Sequence, residues 1–428
     1  MSYRFLEEYA EKSGKTIVDL GEVSRELEVS RLAWRNRDKI LMFKMRGTYE
    51  NIVNYTNLIT SRRDLYALFG FGDDESIYKA FTRGFEDTGI SSYANFYELF
   101  EIVDEIDLWK LPFIKYYRED GGYYLTSSVY VICYGEICNS SFHRTMFIDR
   151  DKAVLRIVPR QLHYLASKYF SEGRDAPVAM VLGLHPIQEL YAASTPPLGV
   201  YELAAAKIFG LNSFAKTPLY GIPVPVNASI VVEGVIKRDL FADEGPFTDI
   251  LMLVDQVRRQ PVFEAKAIYF NNSRPLIHHA IVPGSWEHQF LMGFPREPAI
   301  FEAVKKAAPG VKKIRLTEGG SGWLHLLISL KQTSPGEGKL AALAAIAAHP
   351  SVKHVFVVDD DIDIDDPLMV EWAIATRMKG GEDVLVIQGV RGSTLDPRSE
   401  DGVGDKVVFL ALRPFNDDPS KYKRVEVP

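Results

Sequence analysis

Cysteine is scarce in this chain, and the signals of secretion and membrane insertion are missing. Two cysteines, Cys133 and Cys138, are too few for a disulfide framework or a zinc ligand set, so we expect a reducing compartment. The start MSYRFLEEYAEKSG lacks the basic and apolar regions of a signal peptide. The longest aliphatic run, Leu340–Ala348, is too short to span a bilayer. The sequence therefore predicts a cytoplasmic protein without a membrane segment.

Nucleotide-binding and hydrolase motifs are also missing. The chain has no Walker A sequence, no GxGxxG before a helix and no GxSxG elbow. Its 50 Lys and Arg against 57 Asp and Glu give a net charge of −7, which provides no general surface for nucleic acid or an anionic membrane. What is present, 46% hydrophobic and 25% charged residues, is typical of a globular protein with sizeable cores.

The period of the hydrophobic residues predicts a multidomain protein of mixed α/β class. Residues 1–120 combine helices, such as SRRDLYALFG and YELFEIVDEIDLWKL, with a few strands. Residues 121–295 are rich in strands and favour a sheet or barrel, interrupted by the helices RQLHYLASKYFSEG and GVYELAAAKIFG. Residues 296–428 alternate strands and helices, which indicates an α/β domain with a buried sheet.

The segment EGPFTD is a candidate acid site. Glu244 and Asp249 would face opposite sides of a straight strand, but Gly245 and Pro246 interrupt the pleat and allow both carboxylates on one side. An acidic turn between strands explains the same residues equally simply, and both interpretations stay open.

The segment CNSSFHR is a candidate anion-binding loop. Asn139 and Arg144 lie five residues apart between two predicted strands, and an arginine fork suits a phosphate or a carboxylate. A polar hairpin loop without a ligand is the alternative.

Six aspartates between Asp359 and Asp366 follow a hydrophobic strand. They lack the glycine and terminal glutamate of an EF-hand loop, and we expect them to cap the helix PLMVEWAIATRM rather than to bind a metal. His278 and His279 are adjacent, so in a strand they face opposite ways, which favours packing or substrate contact over zinc binding.

Several separated motifs between about residue 130 and about residue 410 resemble, in matching order, those of the UbiD-type decarboxylases, which use prenylated FMN. The matching positions are Asn139 and Arg144 of N-x-x-x-x-R, Glu202 at the start of a helix, Glu244 and Asp249 of the acidic pair, and Lys406 of GDKVVF. The resemblance implies a flavin-reductase-like split β-barrel over residues 121–295, after an N-terminal α/β region (1–120) and before a C-terminal α/β domain (296–428). That last domain would assemble a homo-oligomer, a dimer or a hexamer.

The resemblance also implies the cofactors and the site. Prenylated FMN, supplied by a flavin prenyltransferase, would be held by Asn139, Ser140, Ser141, Arg144, Arg160, Gln161, Glu202 and Lys406. Asn139 and Glu202 would bind Mn²⁺ or Mg²⁺, with K⁺ as a further cation. Asp249 would be the proton donor, oriented by Glu244 and Arg144, because a carboxyl in a dry position near a second acid has a raised pKa.

One departure from the family concerns the metal site. Pro159-Arg160-Gln161 stands where the family usually has P-x-H, and His163 would become the ligand if the helix were shifted by a turn. The compact length resembles archaeal members that decarboxylate trans-anhydromevalonate 5-phosphate, and a 4-hydroxybenzoate-type acid is the second candidate substrate. For a substrate phosphate, Arg274, His278 or His279 are the candidates.

Two other classes of function remain open. One is a non-catalytic flavin-binding subunit, against which the acid pair and Arg144 count. The other is a metal hydrolase built on the aspartate run, for which no set of water-activating ligands can be assembled.

Overall fold

The computed structural model of the protein describes residues 3–90 and 92–425. The chain divides into two units, of which the first ends at Leu291 and the second begins at Met292. Within the described residues the strands form five sheets, and helices occur in both units, so the fold is mixed α/β as the sequence predicts.

The strands are numbered in chain order. They are β1 (Thr16–Val23), β2 (Lys39–Met45), β3 (Ile52–Thr56), β4 (Tyr93–Ala94), β5 (Phe100–Ile102), β6 (Tyr124–Leu125), β7 (Val129–Tyr134), β8 (Ile137–Phe142), β9 (Thr145–Asp149), β10 (Lys152–Leu155), β11 (Ala176–Leu182), β12 (Phe214–Lys216), β13 (Pro223–Pro225), β14 (Ile230–Glu244), β15 (Phe247–Thr248), β16 (Val254–Asp255), β17 (Arg258–Asn271), β18 (Leu276–His279), β19 (Val311–Leu316), β20 (His325–Leu330), β21 (His354–Asp359), β22 (Val384–Arg391) and β23 (Val403–Ala411).

The helices are numbered in the same way. The α-helices are α1 (Tyr3–Ser13), α2 (Glu28–Arg35), α3 (Arg62–Phe69), α4 (Asp74–Arg83), α5 (Phe96–Leu99), α6 (Gln161–Ser171), α7 (Pro186–Ala192), α8 (Trp286–Gly293), α9 (Glu297–Ala307), α10 (Glu337–Ala348) and α11 (Pro367–Arg377). Short 3₁₀ helices span Gly84–Glu86, Leu108–Lys110, Glu202–Phe209, Phe294–Arg296, Glu318–Gly320 and Pro419–Tyr422.

A nine-stranded sheet dominates the first unit. Its order is β6-β9-β10-β17-β14-β11-β7-β8, with β5 paired to β17, and its pairings are antiparallel. Alternate residues of its strands face a buried apolar core that includes Val232, Ile236 and Phe263. At Gly234 a Cβ would lie 2.3 Å from the carbonyl oxygen of Glu264, so the two longest strands approach closely only because this residue is glycine.

Three smaller sheets complete the first unit. One has the order β1-β2-β3-β18 and is mixed, with β1 parallel to β2 and β18 parallel to β3. The others are β13-β12-β4 and the two-stranded β15-β16, whose first strand lies between Glu244 and Asp249 of the acidic pair segment. The predicted helix SRRDLYALFG is confirmed as α3, because Ser61 accepts the backbone N–H of Asp64 and Gly70 ends the helix in a left-handed conformation.

The second unit is built on a five-stranded sheet of order β19-β20-β21-β23-β22. Strands β20, β21 and β23 are parallel, and the alternation of strands and helices that the sequence predicts is confirmed. The aspartate run has the structural role expected of it: Asp366 accepts the backbone N–H of Leu368 at the start of α11, and Asp359 and Asp361 pair with Arg377.

The predicted helix over YELFEIVDEIDLWKL is wrong. Only α5 and the short 3₁₀ helix Leu108–Lys110 are helical there, and the three residues after α5 form β5, which pairs with β17 through Phe270 and its neighbours. The edge of a long sheet offers backbone hydrogen bonds that outweigh the weak helical period of this segment. The helix predicted at GVYELAAAKIFG is confirmed in its position but is a 3₁₀ helix, over Glu202–Phe209.

The cysteines are paired, which the sequence did not lead us to expect. Cys133 and Cys138 form a disulfide between β7 and β8, because the hairpin register places them directly opposite each other with their Cα atoms 4.1 Å apart. The described residues therefore include no free thiol that would support the expected reducing compartment. Of the helices in the described residues, none combines the length and apolar character that a membrane-crossing segment requires.

Candidate active site

A buried carboxylate, Glu202, lies against the edge strand of the nine-stranded sheet. Asn139 donates through Nδ2 to Oε1 of Glu202 at 2.6 Å, and Ser140 donates to Oε2 through its backbone N–H at 2.6 Å and its hydroxyl at 3.1 Å. Strand β8 has a partner on one side only, so the outward N–H of Ser140 is available to the carboxylate. Burial raises the pKa of Glu202 to about 7 despite these donors.

Gln161 and Ser141 extend this cluster. Gln161 is the first residue of α6, where its Oε1 accepts from Asn139 Nδ2 at 3.2 Å and its Nε2 donates to the carbonyl of Pro196 at 2.6 Å. Ser141 lies within 3.3 Å of Asn139 Oδ1. The helix predicted over RQLHYLASKYFSEG begins at Gln161, and His163 is exposed, so the shift by one turn that would bring His163 into the site does not occur.

His143 belongs to the same cluster, although the motif analysis did not single it out. Its Nδ1 is 2.8 Å from the carbonyl of Arg156, and its Nε2 is 2.9 Å from the hydroxyl of Ser141. Burial lowers the pKa of His143 to about 4, and the charges of Arg160 and Arg156 add to that effect. The imidazole is therefore neutral, donates to the carbonyl and accepts from Ser141.

Five residues after Asn139, Arg144 holds two carboxylates. Its Nε and Nη2 donate to Glu244 at 2.8 and 2.9 Å, and Nη2 also donates to Asp255 at 2.8 Å. Its Nη1 has no hydrogen-bond partner among the described residues. The guanidinium also lies 4.5 Å from the ring centre of Phe247, so it is fixed between an aromatic face and two anions.

Asp249 lies beside this ion pair but does not share it. Its Oδ1 accepts the backbone N–H groups of Leu251 and Leu253 at 2.8 and 3.2 Å. Burial raises the pKa of Asp249, the nearby charge of Asp255 raises it further, and Arg144 opposes the rise. The raised pKa has the predicted direction, but the second carboxylate on Arg144 is Asp255 and not Asp249.

Asp255 is a second site residue, after His143, that sequence reasoning missed. It sits in the two-residue strand β16 and also pairs with Arg258, three residues later. The spacing D-x-x-R in VDQVRR is a weak signal that many surface turns share, so only the pairing of β15 with β16 identifies Asp255 as part of the cluster.

The remaining predicted residues lie elsewhere. Lys406 is in β23 of the second unit, where its ammonium donates to the carbonyls of Pro350 and Val352, and burial lowers its pKa to about 8. Its role toward a cofactor phosphate stays a prediction. Arg274 pairs with Glu101, His278 contacts Asn54 and His279 contacts Glu189. Their contact with a substrate phosphate stays a prediction, and these neighbours do not favour it.

The donors around Glu202 fit a cation and an anionic cofactor together. In the described part of the chain no three His, Cys, Asp or Glu side chains converge where they could hold a metal. Glu202 is nevertheless a buried carboxylate that forms no ion pair with any described residue, and the amide oxygens of Asn139 and Gln161 lie next to it. One hard carboxylate with neutral oxygen donors suits Mn²⁺ or Mg²⁺.

Comparison with known proteins adds two family matches and close relatives. Residues 92–286 match the 3-octaprenyl-4-hydroxybenzoate carboxy-lyase Rift-related domain, and residues 289–411 match the C-terminal domain of the same carboxy-lyases. A protein of Aeropyrum pernix called anhydromevalonate phosphate decarboxylase is 40% identical over 427 residues, which is 99% of this chain and 96% of that protein. One of the same name from Methanosarcina mazei is 38% identical, covering 96% of each chain.

A solved structure matches almost the whole chain. The UbiD-class enzyme HmfF from Pelotomaculum thermopropionicum, in complex with FMN, superposes with a TM-score of 0.93 at 31% identity, covering 99% of this chain and 97% of that one. An evolved dimeric form of that enzyme, in complex with prenylated FMN, gives a TM-score of 0.89 at 29% identity, with 100% and 97% coverage.

Proposed function

The chain belongs to the UbiD family of carboxy-lyases, and from this premise we propose that it decarboxylates trans-anhydromevalonate 5-phosphate with the aid of prenylated FMN. The observation that carries this proposal is the likeness to the Aeropyrum pernix decarboxylase over 99% of this chain. The buried group of Arg144, Glu244 and Asp255, with Asp249 beside it, supports a decarboxylase rather than a binding subunit.

In the proposed mechanism, Arg144 binds the substrate and Asp249 donates the proton. The free Nη1 of Arg144 binds and orients the substrate carboxylate, while Glu244 and Asp255 fix the guanidinium. When the bond between the carboxyl carbon and its neighbour breaks, CO₂ leaves and the electron pair stays on the neighbouring carbon. Asp249, whose protonated form is favoured by the rise in its pKa on burial, then donates a proton to that carbon from Oδ2 and recovers a proton from solvent.

The group around Glu202 is the place for the cofactor phosphate and its cation. We propose Mn²⁺ or Mg²⁺ on Asn139 and Glu202, with K⁺ as a further cation and Gln161 as a weaker oxygen donor in place of the usual histidine. The other proposed cofactor contacts are Ser140, Ser141, Arg144, Arg160 and Lys406. Prenylated FMN, when bound, supplies the electron sink for the breaking bond.

The domain boundaries, compartment, oligomeric state and cofactor supply are proposed from the family resemblance. We propose that residues 121–295 form the split β-barrel of the flavin site, preceded by the 1–120 region and followed by the 296–428 domain. We also propose a cytoplasmic homo-oligomer, a dimer or a hexamer, which receives its cofactor from a flavin prenyltransferase and catalyses a reversible reaction.

The first test is the chemistry of the loaded enzyme. The protein is co-expressed with a flavin prenyltransferase, and the extracted cofactor is identified by its absorbance spectrum and mass. CO₂ release is then measured with trans-anhydromevalonate 5-phosphate and with 4-hydroxybenzoate. Release from the phosphorylated acid alone is expected. Plain FMN or none despite a working prenyltransferase would favour the non-catalytic flavin-binding subunit, and release from 4-hydroxybenzoate alone would change the substrate class.

The second test concerns the proton donor. Asp249→Asn keeps the oxygen that accepts from Leu251 and Leu253, so the loop and the cofactor content should persist. Loss of the acid should lower turnover by about 10²- to 10⁴-fold. Asp243→Asn is the matched control, because Asp243 precedes Glu244 but has a side chain 66% exposed. Near-normal turnover by Asp249→Asn with full cofactor would remove Asp249 from this role.

A further inference from the structure

Three arginines from three neighbouring strands meet at the candidate site. Arg144 precedes β9, Arg156 follows β10, and Arg258 begins β17. Leu155 of β10 pairs with Thr145 of β9, and the N–H of Arg156 donates to the carbonyl of Arg144 at 3.1 Å, so these two arginines are opposed residues of an antiparallel pair. Opposed side chains lie on one face of the sheet, about 5 Å apart at Cβ.

Arg258 joins them from the other side. It is opposed to Glu244 in the pairing of β14 with β17, and it pairs with Asp255, which also binds Arg144. The next residue after Arg156 is tied to the same strand, because the N–H of Ile157 donates to Gln260 Oε1 at 2.8 Å. The strand pairing and the shared carboxylate Asp255 therefore bring all three arginines to neighbouring positions.

The three arginines outnumber the carboxylates that pair with them. Glu244 and Asp255 are the only carboxylates that pair with Arg144 or Arg258 among the described residues. Arg156 forms no ion pair there, and the single hydrogen bond of its guanidinium runs from Nη1 to the carbonyl of Ile157 at 3.3 Å. Burial lowers the pKa of Arg156, and the charges of Arg258 and Arg144 lower it further. One half-buried guanidinium is thus left without an anion.

A guanidinium held against two others is costly unless an anion joins it. Arg144 has Nη1 free for a carboxylate, and Arg156 has most of its fork free for a second anionic group of the same ligand. A phosphate is suited to that fork, because it accepts two parallel N–H hydrogen bonds.

We propose that Arg156, supported by Arg258, is the residue that binds the phosphate of the substrate and so selects a phosphorylated acid. This inference rests on the proposed function. It replaces the earlier candidates Arg274, His278 and His279 with a residue that directly opposes the carboxylate-binding arginine. Two opposed guanidiniums can then hold the two ends of one six-carbon substrate, with the reacting carbon kept near Arg144 and Asp249.

The experiment compares the enzyme loaded with prenylated FMN with its Arg156→Gln variant. The matched control is Arg150→Gln, since Arg150 lies in the same hairpin but has a side chain 58% exposed. KM and kcat are measured with trans-anhydromevalonate 5-phosphate and with its dephosphorylated form. Binding of 3-methylbutyl phosphate and of 3-methylbutanoate is measured by calorimetry on the same proteins.

For Arg156→Gln we expect the KM for the phosphorylated acid to rise by about 10- to 100-fold, as loss of a charged hydrogen bond predicts. Its kcat and the KM for the dephosphorylated acid should each change less than about threefold on this reasoning, because the carboxylate end keeps its hydrogen bonds to Arg144. The affinity of the variant for 3-methylbutyl phosphate should fall by a factor similar to the rise in KM. Its affinity for 3-methylbutanoate should stay unchanged.

Three results would overturn the inference. The first is an equal kcat/KM of the wild type for the two acids. The second is an unchanged affinity of Arg156→Gln for 3-methylbutyl phosphate. The third is loss of prenylated FMN from Arg156→Gln at an unchanged melting temperature, which would assign Arg156 to the cofactor. If the wild type releases CO₂ from neither acid, the proposed function fails, while the 3-methylbutyl phosphate titration still decides whether Arg156 binds a phosphate.

Discussion

His279 should stabilise the first unit in a way that depends on pH. It is fully buried in β18, with Nδ1 2.7 Å from Glu189 Oε2 and Nε2 3.0 Å from Glu287 Oε1. Burial alone would lower the pKa of His279, but the attraction of Glu287 and Glu189 outweighs it and raises the pKa to about 10. Glu287 also accepts the backbone N–H groups of Asn57, Leu58 and Ile59, so the imidazolium anchors a whole loop.

The size of the effect follows from the pKa. A rise from 6.5 to about 10 corresponds to about 5 kcal/mol of stability, at 1.36 kcal/mol for each pH unit. Because the folded pKa lies above the unfolded value, this stabilisation is fully present below about pH 6.5 and is lost as the pH rises to about 10. The wild type should therefore lose stability steadily across that window.

The variant His279→Gln leaves Glu189 and Glu287 buried without their cation. Its free energy of unfolding at pH 6.5 should be about 3–5 kcal/mol below that of the wild type. The difference should narrow toward pH 10, where the wild-type imidazole is also neutral. Guanidinium unfolding at several pH values, followed by tryptophan fluorescence, measures both quantities.

The neighbouring His278 is the control. Its ring nitrogens lie 3.0 Å from Ser127 Oγ and 2.9 Å from Asn54 Oδ1, and burial lowers its pKa to about 3, so it stays neutral throughout the window. His278→Gln should cost about 1–3 kcal/mol at every pH. A loss in His279→Gln that is equally independent of pH would refute the charged state assigned to His279.

Two further variants examine the site. Arg144→Lys keeps the charge but cannot hold Glu244 with two hydrogen bonds, so kcat/KM for decarboxylation should fall by about 100-fold. Most of the prenylated FMN, measured by absorbance, should be retained because the other proposed cofactor contacts are unchanged. Activity within threefold of the wild type would contradict this prediction. Glu202→Gln loses the charge but keeps one side-chain oxygen, which can still accept the two hydrogen bonds from Ser140. The variant should fold and should lose metal and cofactor together, which elemental analysis and absorbance measure. A full metal content would exclude Glu202 as a ligand.

The parts of the fold that the sequence predicts well are those with strong periodic signals. The strands and helices of the second unit were predictable because each is a run of one period bounded by turn residues. The segment after Phe96 was not, because its backbone pairs with β17, a strand about 170 residues away, and local propensity carries no information on that pairing. The disulfide was missed for a related reason, since only the hairpin register places Cys133 opposite Cys138.

Only the site residues that stand in sequence motifs were predictable. The motif spacing identified Arg144 and Glu244, which lie 100 residues apart and form an ion pair. The partners of His279 were not identified, because Glu189 lies in α7, 90 residues away, and Glu287, although it follows in the same segment SRPLIHHAIVPGSWEH, reaches His279 only through the packing of α8. Residues that act through the packing of distant elements leave no local pattern to find.

The position of Asp255 explains how the pKa of Asp249 can be raised although Arg144 lies nearby. If Arg144 bridged Glu244 and Asp249, its charge would lower the pKa of both carboxyls and Asp249 would hold no proton. Asp255 takes the second position on the guanidinium instead, and its charge raises the pKa of Asp249 further. In the proposed mechanism, a fixed cation for the substrate carboxylate and an acid with a raised pKa can thus lie side by side, because β16 supplies a third carboxylate that pairs with the cation.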